Sequence, residues 1–306
     1  MKTIAWIGLG FMGNPMSKHM MNAGYTVRGV DIDPAACERA AQNGVQICSS
    51  VAEACQGVTA VFTMLPTGSE VKEVLAGPNG VFANIDPGTV VIDCSTIGIE
   101  NARSLHGSAR KAGRIFAEAP VSGGTEGAIA ATLTFMVGCE DAHVDRVKAL
   151  LSPLGAYVAH VGGPEAGQAA KVVNNLIMGV CVAVNCEATA LAERLGLNLK
   201  AFFEIAIRST ADNWTFRVWN PGVGVVPSAP ASKDYQAGFK TWLLAKDLTL
   251  AMDAGREVGT TIATAEAAHA LLQQHMENGG ADLDATSLVL SLKTPAVTGV
   301  AQKAIA

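Results

Sequence analysis

Lys171 stands in the segment "GQAAKVVNNLIMG", Gly167 to Gly179, which opens a long and mostly apolar stretch. A buried ammonium without a partner is costly. The lysine therefore faces water, pairs with an acid such as Glu187 or Asp247, or supplies a charge that chemistry needs. On a helix, Gln168, Lys171 and Asn175 would fall within about 60° of one another, and Asn174 about 60° beyond Lys171. A lysine near a substrate hydroxyl can serve as general acid or base, and an asparagine beside it can hold the substrate. Spacing alone leaves the three readings open.

A second group is "APVSGGTEGA", where Ser122-Gly123-Gly124 follows the apolar run "RIFAEAP". Adjacent glycines let successive N–H groups converge on an anion, and a hydroxyl adds another donor. That suits a substrate carboxylate; the plain alternative is a Gly-Gly turn. The third is "IGLGFMG", in which Gly8, Leu9, Gly10, Phe11, Met12 and Gly13 form G-x-G-x-x-G between a strand pattern and a helix pattern. The first glycine permits the turn, the second lets a pyrophosphate approach, and the third lets helix and strand pack. The helix N-terminus then offers N–H groups to the phosphates. Asp31 closes the next strand pattern, "VRGVDID". A carboxylate there accepts from ribose hydroxyls and repels a 2′-phosphate, which favours NAD over NADP. The alternative is a solvated loop acid.

These groups need a scaffold that brings loops to one edge. From the first residue to about Gly163, short apolar or β-branched runs alternate with helical patterns, implying a parallel sheet covered on both faces. Ligands of such sheets sit beyond the carboxyl ends of the strands. Two further loops then border the cofactor, "MLPTGSE" (Met64 to Glu70) and "DCSTIG" (Asp93 to Gly98). Ser95 and Thr96 would donate to it or would form a local turn. After Gly163 helical patterns take over: Glu165 to Leu195 with Gly196 at its C-cap, Leu199 to Ser209, Thr241 to Val258, and Thr264 to Asn278. A Pro/Gly/Ser-rich connection, "NPGVGVVPSAPASKDYQAG", is long enough to be either functional or mobile. The reading is a Rossmann-type, doubly wound, mostly parallel sheet in residues 1–163. An all-helical domain, residues 164–306, is joined to it through the long helix. The last stretch, "KTPAVTGVAQKAIA", reads as a loosely held tail.

With 306 residues, 49% hydrophobic and 16% charged, the chain has a globular composition. Its net charge of -5, without basic clusters, gives no nucleic-acid surface. Seven irregularly spaced cysteines read as thiols of a reducing compartment, and none pairs with a histidine at zinc-ligand spacing. No metal site is expected. The start "MKTIAWIGLG" leaves no room for a signal peptide. The apolar run after Asn175 is broken by Asn185 and Glu187, which favours a buried helix over a membrane span. A cytoplasmic protein without membrane partners follows. The long helix has more apolar surface than a small helical domain would cover, so a homodimer or homotetramer is expected.

Four segments, "IGLGFMGNPMSKHMMNAGY", "EAPVSGGTEGA", "GQAAKVVNN" and "GFKTWLLAKDL", resemble the β-hydroxyacid dehydrogenases, in order and with similar spacing from about Ile4 to about Leu292. The stretch from Trp219 to Leu248 resembles the hydroxyisobutyrate branch. The resemblance implies a cofactor site built from Gly8 to Gly13, Asp31, Leu65, Pro66 and Thr96. It places the substrate carboxylate on Ser122, Gly123 and Gly124, with Lys171 as catalytic acid/base and Asn175 orienting the substrate. Lys246 and Asp247 would approach from the helical half, Lys246 toward the cofactor and Asp247 toward the substrate. Two departures stand out: Lys240 and Trp242 replace smaller residues, and Glu118 replaces the more usual Asp.

The implied activity is reversible hydride transfer between C3 of a short 3-hydroxy acid and NAD, with methylmalonate semialdehyde as product in the hydroxyisobutyrate branch. Burial between the domains would lower the Lys171 pKa into a useful range. Reductases of tartronate semialdehyde, succinate semialdehyde or glyoxylate would share every motif. A catalytically silent nucleotide-binding module would lack the joint presence of Ser122, Lys171 and Asn175.

Overall fold

The computed structural model describes residues 2–293. The first unit runs β1 (Thr3–Ile7), α1 (Gly13–Asn22), β2 (Thr26–Val30), α2 (Pro34–Gln42), β3 (Gln46–Ile47), α3 (Val51–Ala54), β4 (Ala60–Thr63) and α4 (Gly68–Ala76). It continues with α5 (Val81–Asn84), β5 (Val90–Asp93), α6 (Ile99–Lys111), β6 (Ile115–Glu118), β7 (Val121–Ser122), α7 (Gly124–Ala130), β8 (Leu133–Gly138), α8 (Val144–Leu151) and β9 (Gly155–Gly162). The long helix α9 (Ala166–Arg194) follows, then α10 (Leu199–Ala206), α11 (Trp214–Val218), α12 (Thr241–Val258), α13 (Ala263–His275) and α14 (Leu288–Lys293). The chain divides into two compact units, the first ending at Asn174 and the second beginning at Asn175, inside α9.

In the first unit the strands take the order β3-β2-β1-β4-β5-β6-β8-β7, with β9 on the far side of β8. The first six are mutually parallel. Central parallel strands are covered on both faces and read as continuous apolar runs; β4 "AVFT" and β5 "VVID" are buried throughout. Alternate residues feed two cores. Ile4, Trp6, Phe62 and Ile92 pack on one face with Met16 and Met20, and Ala5, Ile7, Val61 and Val91 pack on the other with Leu75 and Leu105.

The sheet is not parallel to its end. β6 and β7 are one strand interrupted at Ala119-Pro120, both antiparallel to β8, in a register that pairs Glu118 with Gly138 and Ser122 with Thr134. Proline has no N–H for the ladder, but the Pro120 carbonyl still accepts from Met136 N (3.0 Å). The loop after β4 is shorter than the expected Met64–Glu70, because α4 starts at Gly68. Thr67 caps it, with a reciprocal hydrogen bond from its backbone to Glu70.

α9 has 29 residues and spans about 44 Å. Left-handed Gly196 follows it, and Leu197 N returns to Ala192 O, closing the C-terminal turn. It is long and apolar enough to cross a membrane by length and composition, and half of that window is buried in the protein. Within the second unit, Val182, Cys186 and Ala190 of α9 pack with Leu244, Leu248, Leu272 and Leu288. A side chain at Gly179 would come within 2.7 Å of Leu248, so the glycine permits α9 and α12 to approach closely. The Pro/Gly/Ser-rich connection is a packed loop: Tyr235 donates its hydroxyl to Pro221 O, Ser232 Oγ bridges Gly224 and Val226, and Ala229 and Ala231 are buried. Buried Asp284 anchors its end by accepting from Gly238 N and Phe239 N. The expected tail, from Thr294 on, lies outside the described residues.

Candidate active site

The glycine turn follows β1 as its sequence implies. Gly8 is left-handed (φ +93°), and a Cβ there would stand 2.2 Å from Met64 O. A Cβ on Gly13 would stand 1.8 Å from Gly8 O, so the start of α1 rests directly on the turn. Trp6 braces it from below, stacked on Phe62 and donating Nε1–H to Gly8 O (3.1 Å). Gly10 differs: a Cβ there meets nothing within 4 Å. Its open side is the cradle that a pyrophosphate would fill, in front of the α1 N-terminus.

Asp31 follows β2 and faces this turn, accepting from Leu9 N (2.6 Å) through Oδ2 and from Asp33 N (2.8 Å) through Oδ1. A carboxylate has about four acceptor positions, so it can hold the turn and still take ribose hydroxyls. Phe11 is 70% exposed and Ile32 is 97% exposed, and Leu9 is buried while Met12 is half-buried. These apolar surfaces and the open glycine suit a dinucleotide, and the residues fit the group.

A buried network organises the next two loops. Asp93 Oδ1 accepts from Thr63 Oγ1 (2.7 Å), Ser95 Oγ (2.6 Å) and Ser95 N (3.2 Å), and Ser95 Oγ accepts from Leu65 N (2.9 Å). Ser95 is therefore committed inside the protein, with its hydroxyl held by Asp93 and Leu65 N, while its neighbour Thr96 is half-buried. Half-buried Leu65 and exposed Pro66 follow β4. Burial pushes the Asp93 carboxyl up to about 6, against the opposing effect of its hydrogen bonds. Asp93 Oδ2 has no hydrogen-bond partner among the described residues.

Ser122 ends β7, and Gly123 (φ +129°) and Gly124 (φ +63°) turn directly into α7. Two consecutive positive-φ glycines before a helix turn successive N–H groups to one side, and a Cβ on Gly124 meets nothing within 4 Å. The turn therefore has the open backbone that such a carboxylate cradle would need.

The first turn of α9 is fastened to the sheet. Glu165 adopts φ +77°, uncommon for a residue with a side chain, and pairs with Arg103 at 2.9 Å. Glu118 is fully buried, touches His106 Nε2 with Oε2, and accepts from Gly167 N (3.2 Å) with Oε1. Gln168 is equally buried. Its Oε1 accepts from Ile97 N (3.0 Å) and Gly98 N (3.1 Å), and its Nε2 donates to Ser95 O (2.8 Å). Lys171 follows one turn later with 7% of its surface exposed, and Asn175 another turn on with 1%.

In the second unit Asn175 Nδ2 donates to Asp247 Oδ2 at 2.5 Å. Half-buried Lys246 places Nζ 3.2 Å from Asp247 Oδ1, close enough for an ion pair but not aligned as a hydrogen bond. Asp247 thus fixes the Asn175 amide. The roles of Glu118 and Gln168 were not evident from the sequence, apart from the polar type of Gln168 on the face of Lys171. Burial pushes the Cys55 thiol up to about 12 and the Cys139 thiol to about 11.

A six-strand parallel order of 3-2-1-4-5-6, a glycine cradle with an acid after β2, and a buried lysine define a dinucleotide-dependent oxidoreductase. Comparison with known proteins agrees. A family model for the NAD-binding domain of 6-phosphogluconate dehydrogenase matches residues 3–162, and one described as NAD-binding of NADP-dependent 3-hydroxyisobutyrate dehydrogenase matches residues 165–292. An NAD-dependent L-serine dehydrogenase of Pseudomonas aeruginosa is 40% identical over 93% of this chain and 95% of its own. A probable 3-hydroxyisobutyrate dehydrogenase of Mycobacterium bovis is 40% identical over 97% of this chain and 99% of its own. The solved Mycobacterium tuberculosis 3-hydroxyisobutyrate dehydrogenase with L-serine superposes with a TM-score of 0.86 at 40% identity, covering 96% of this chain and 100% of that one. The chain belongs to the 3-hydroxyisobutyrate dehydrogenase family of NAD-binding β-hydroxyacid dehydrogenases.

Proposed function

We propose that the chain oxidises 3-hydroxyisobutyrate, or a close short 3-hydroxy acid, to its semialdehyde with NAD, and that Lys171 is the general acid/base. The observation that carries this reading is the burial of Lys171 one helical turn before buried Asn175. A lysine is seldom buried without a task. NAD, when bound on the Gly8–Gly13 turn and Asp31, supplies the hydride acceptor. As the hydride leaves C3, the hydroxyl proton passes to the neutral Nζ of Lys171, which becomes an ammonium; reduction runs the same transfer backwards. Ser122, Gly123 and Gly124 hold the carboxylate through N–H and hydroxyl donors. Asn175, fixed by Asp247, sets the orientation of the substrate, and Thr96, Leu65, Pro66 and Lys246 border the cofactor. Asp31 favours NAD over NADP.

L-serine is the second reading, favoured by the serine dehydrogenase relative and by the L-serine in the mycobacterial structure. The two acids share one skeleton, HO–CH2–CHX–COO⁻, with X a methyl in one and an ammonium in the other. A carboxylate cradle and a lysine facing the hydroxyl serve both, so X decides. We also place the enzyme in the cytoplasm, supported by seven free thiols, and as a homodimer or homotetramer. Initial rates with NAD or NADP on 3-hydroxyisobutyrate and L-serine, and with NADH or NADPH on tartronate and succinate semialdehydes, test the reading. It predicts the highest kcat/KM for 3-hydroxyisobutyrate with NAD. A higher value for L-serine selects the second reading, and no turnover of any of them leaves a nucleotide-binding module.

A further inference from the structure

The Gln168 side chain makes no hydrogen bond to the Gly8–Gly13 turn or to the Ser122–Gly124 turn, yet it spends all of its polar atoms on one loop. Its amide oxygen takes the N–H groups of Ile97 and Gly98, and its amide nitrogen serves Ser95 O. Only one orientation of the amide satisfies this set, because a reversed group would aim N–H at two N–H donors. The clamp is fully buried, 70 or more residues apart in sequence, and lies wholly in the first unit. What it joins matters. On one side is the loop after β5, whose half-buried member is Thr96 and whose Ser95 also holds Leu65 N. On the other is the first turn of α9, three residues before Lys171.

We propose that Gln168 is a positioning residue that sets the offset between the cofactor-side loops and Lys171. Proton and hydride leave the same C3–OH group, so the lysine must keep its place relative to the loops that border the nicotinamide. Errors of about 1 Å in such geometry cost roughly 100-fold in rate. A helix of 29 residues fastened only through backbone contacts could slide or tilt by that amount. Gln168 fixes it at the residue facing the loop, and Glu118 on Gly167 N fixes the neighbouring turn from β6. The inference rests on the assignment of Lys171 under Proposed function.

The test compares Gln168→Met, which keeps length and volume but removes every hydrogen bond, with Gln168→Glu, which keeps an acceptor for Ile97 and Gly98. Amide exchange at Ile97 and Gly98 in the apoprotein should speed up about tenfold or more in the Met variant and much less in the Glu variant. With NAD and 3-hydroxyisobutyrate or L-serine, kcat of the Met variant should fall at least about tenfold while the calorimetric Kd for NAD stays within about threefold. Slow exchange in the Met variant would overturn the clamp. Fast exchange with wild-type kcat would overturn its positioning role. If the wild-type chain oxidises neither acid, the substrate assignment fails. The positioning claim is then decided by whether saturating NAD protects amides 169–172 of wild type but not of the Met variant; equal protection in both overturns it.

Discussion

At the scale of single residues, the three glycines of the turn have different jobs, and substitution separates them. Gly13→Ala drives a methyl into Gly8 O, so the variant should lose about 2 kcal/mol or more of stability, read as a lower urea midpoint. Gly10→Ala meets open space. It should fold with an unchanged midpoint and bind NAD at least about tenfold more weakly, since the methyl occupies the phosphate's place. Asp93 offers a pH test. Its carboxyl sits at about 6 in the fold against 3.8 when free. A raised acid contributes stability that is complete below pH 3.8 and lost as pH climbs through 6. Asp93→Asn cannot ionise, so the variant should gain on wild type by up to about 3 kcal/mol between pH 4 and 6.5. Parallel curves across that range would contradict the assignment.

At the scale of elements, much was legible. α12 runs Thr241–Val258 as periodicity implies, and α9 differs from its expected Glu165–Leu195 by one residue at each end. Long amphipathic or apolar runs carry their own boundary signals. Strand direction does not: "LTFMVG" reads as a strand in either sense, and its antiparallel seat beside β6 depends on partners far along the chain. The same limit hid the clamp. Gln168 advertises a polar residue on the lysine's face, but nothing in local spacing says that its amide meets a loop 70 residues earlier. Glu118 was legible only as a departure from its relatives' Asp. The structure gives the longer acid a task, because Oε1 reaches the first turn of α9 while Oε2 stays on His106. The turn residues of the cofactor cradle were the most legible part of the site, since each glycine answers a steric demand visible in the motif itself.

At the scale of the whole molecule, α9 leaves apolar side chains uncovered. Ile177, Val184 and Leu191 are exposed and recur every seven residues along the helix, which keeps them on one face. Burying such a stripe against a second copy would remove it from water at about 25 cal/mol per Å². Light scattering at micromolar concentration should therefore report a dimer or tetramer, and Val184→Lys should shift it toward monomer. A wild-type monomer peak would contradict this. The proposed function turns on Lys171, the one buried lysine among the described residues, moving the substrate proton. It is tested most directly by Lys171→Met assayed with NAD and 3-hydroxyisobutyrate or L-serine alongside calorimetric NAD binding. The expected result is a fall in kcat of about 100-fold or more with Kd for NAD within about threefold. Near-normal kcat in that variant, with folding and NAD binding intact, would contradict it.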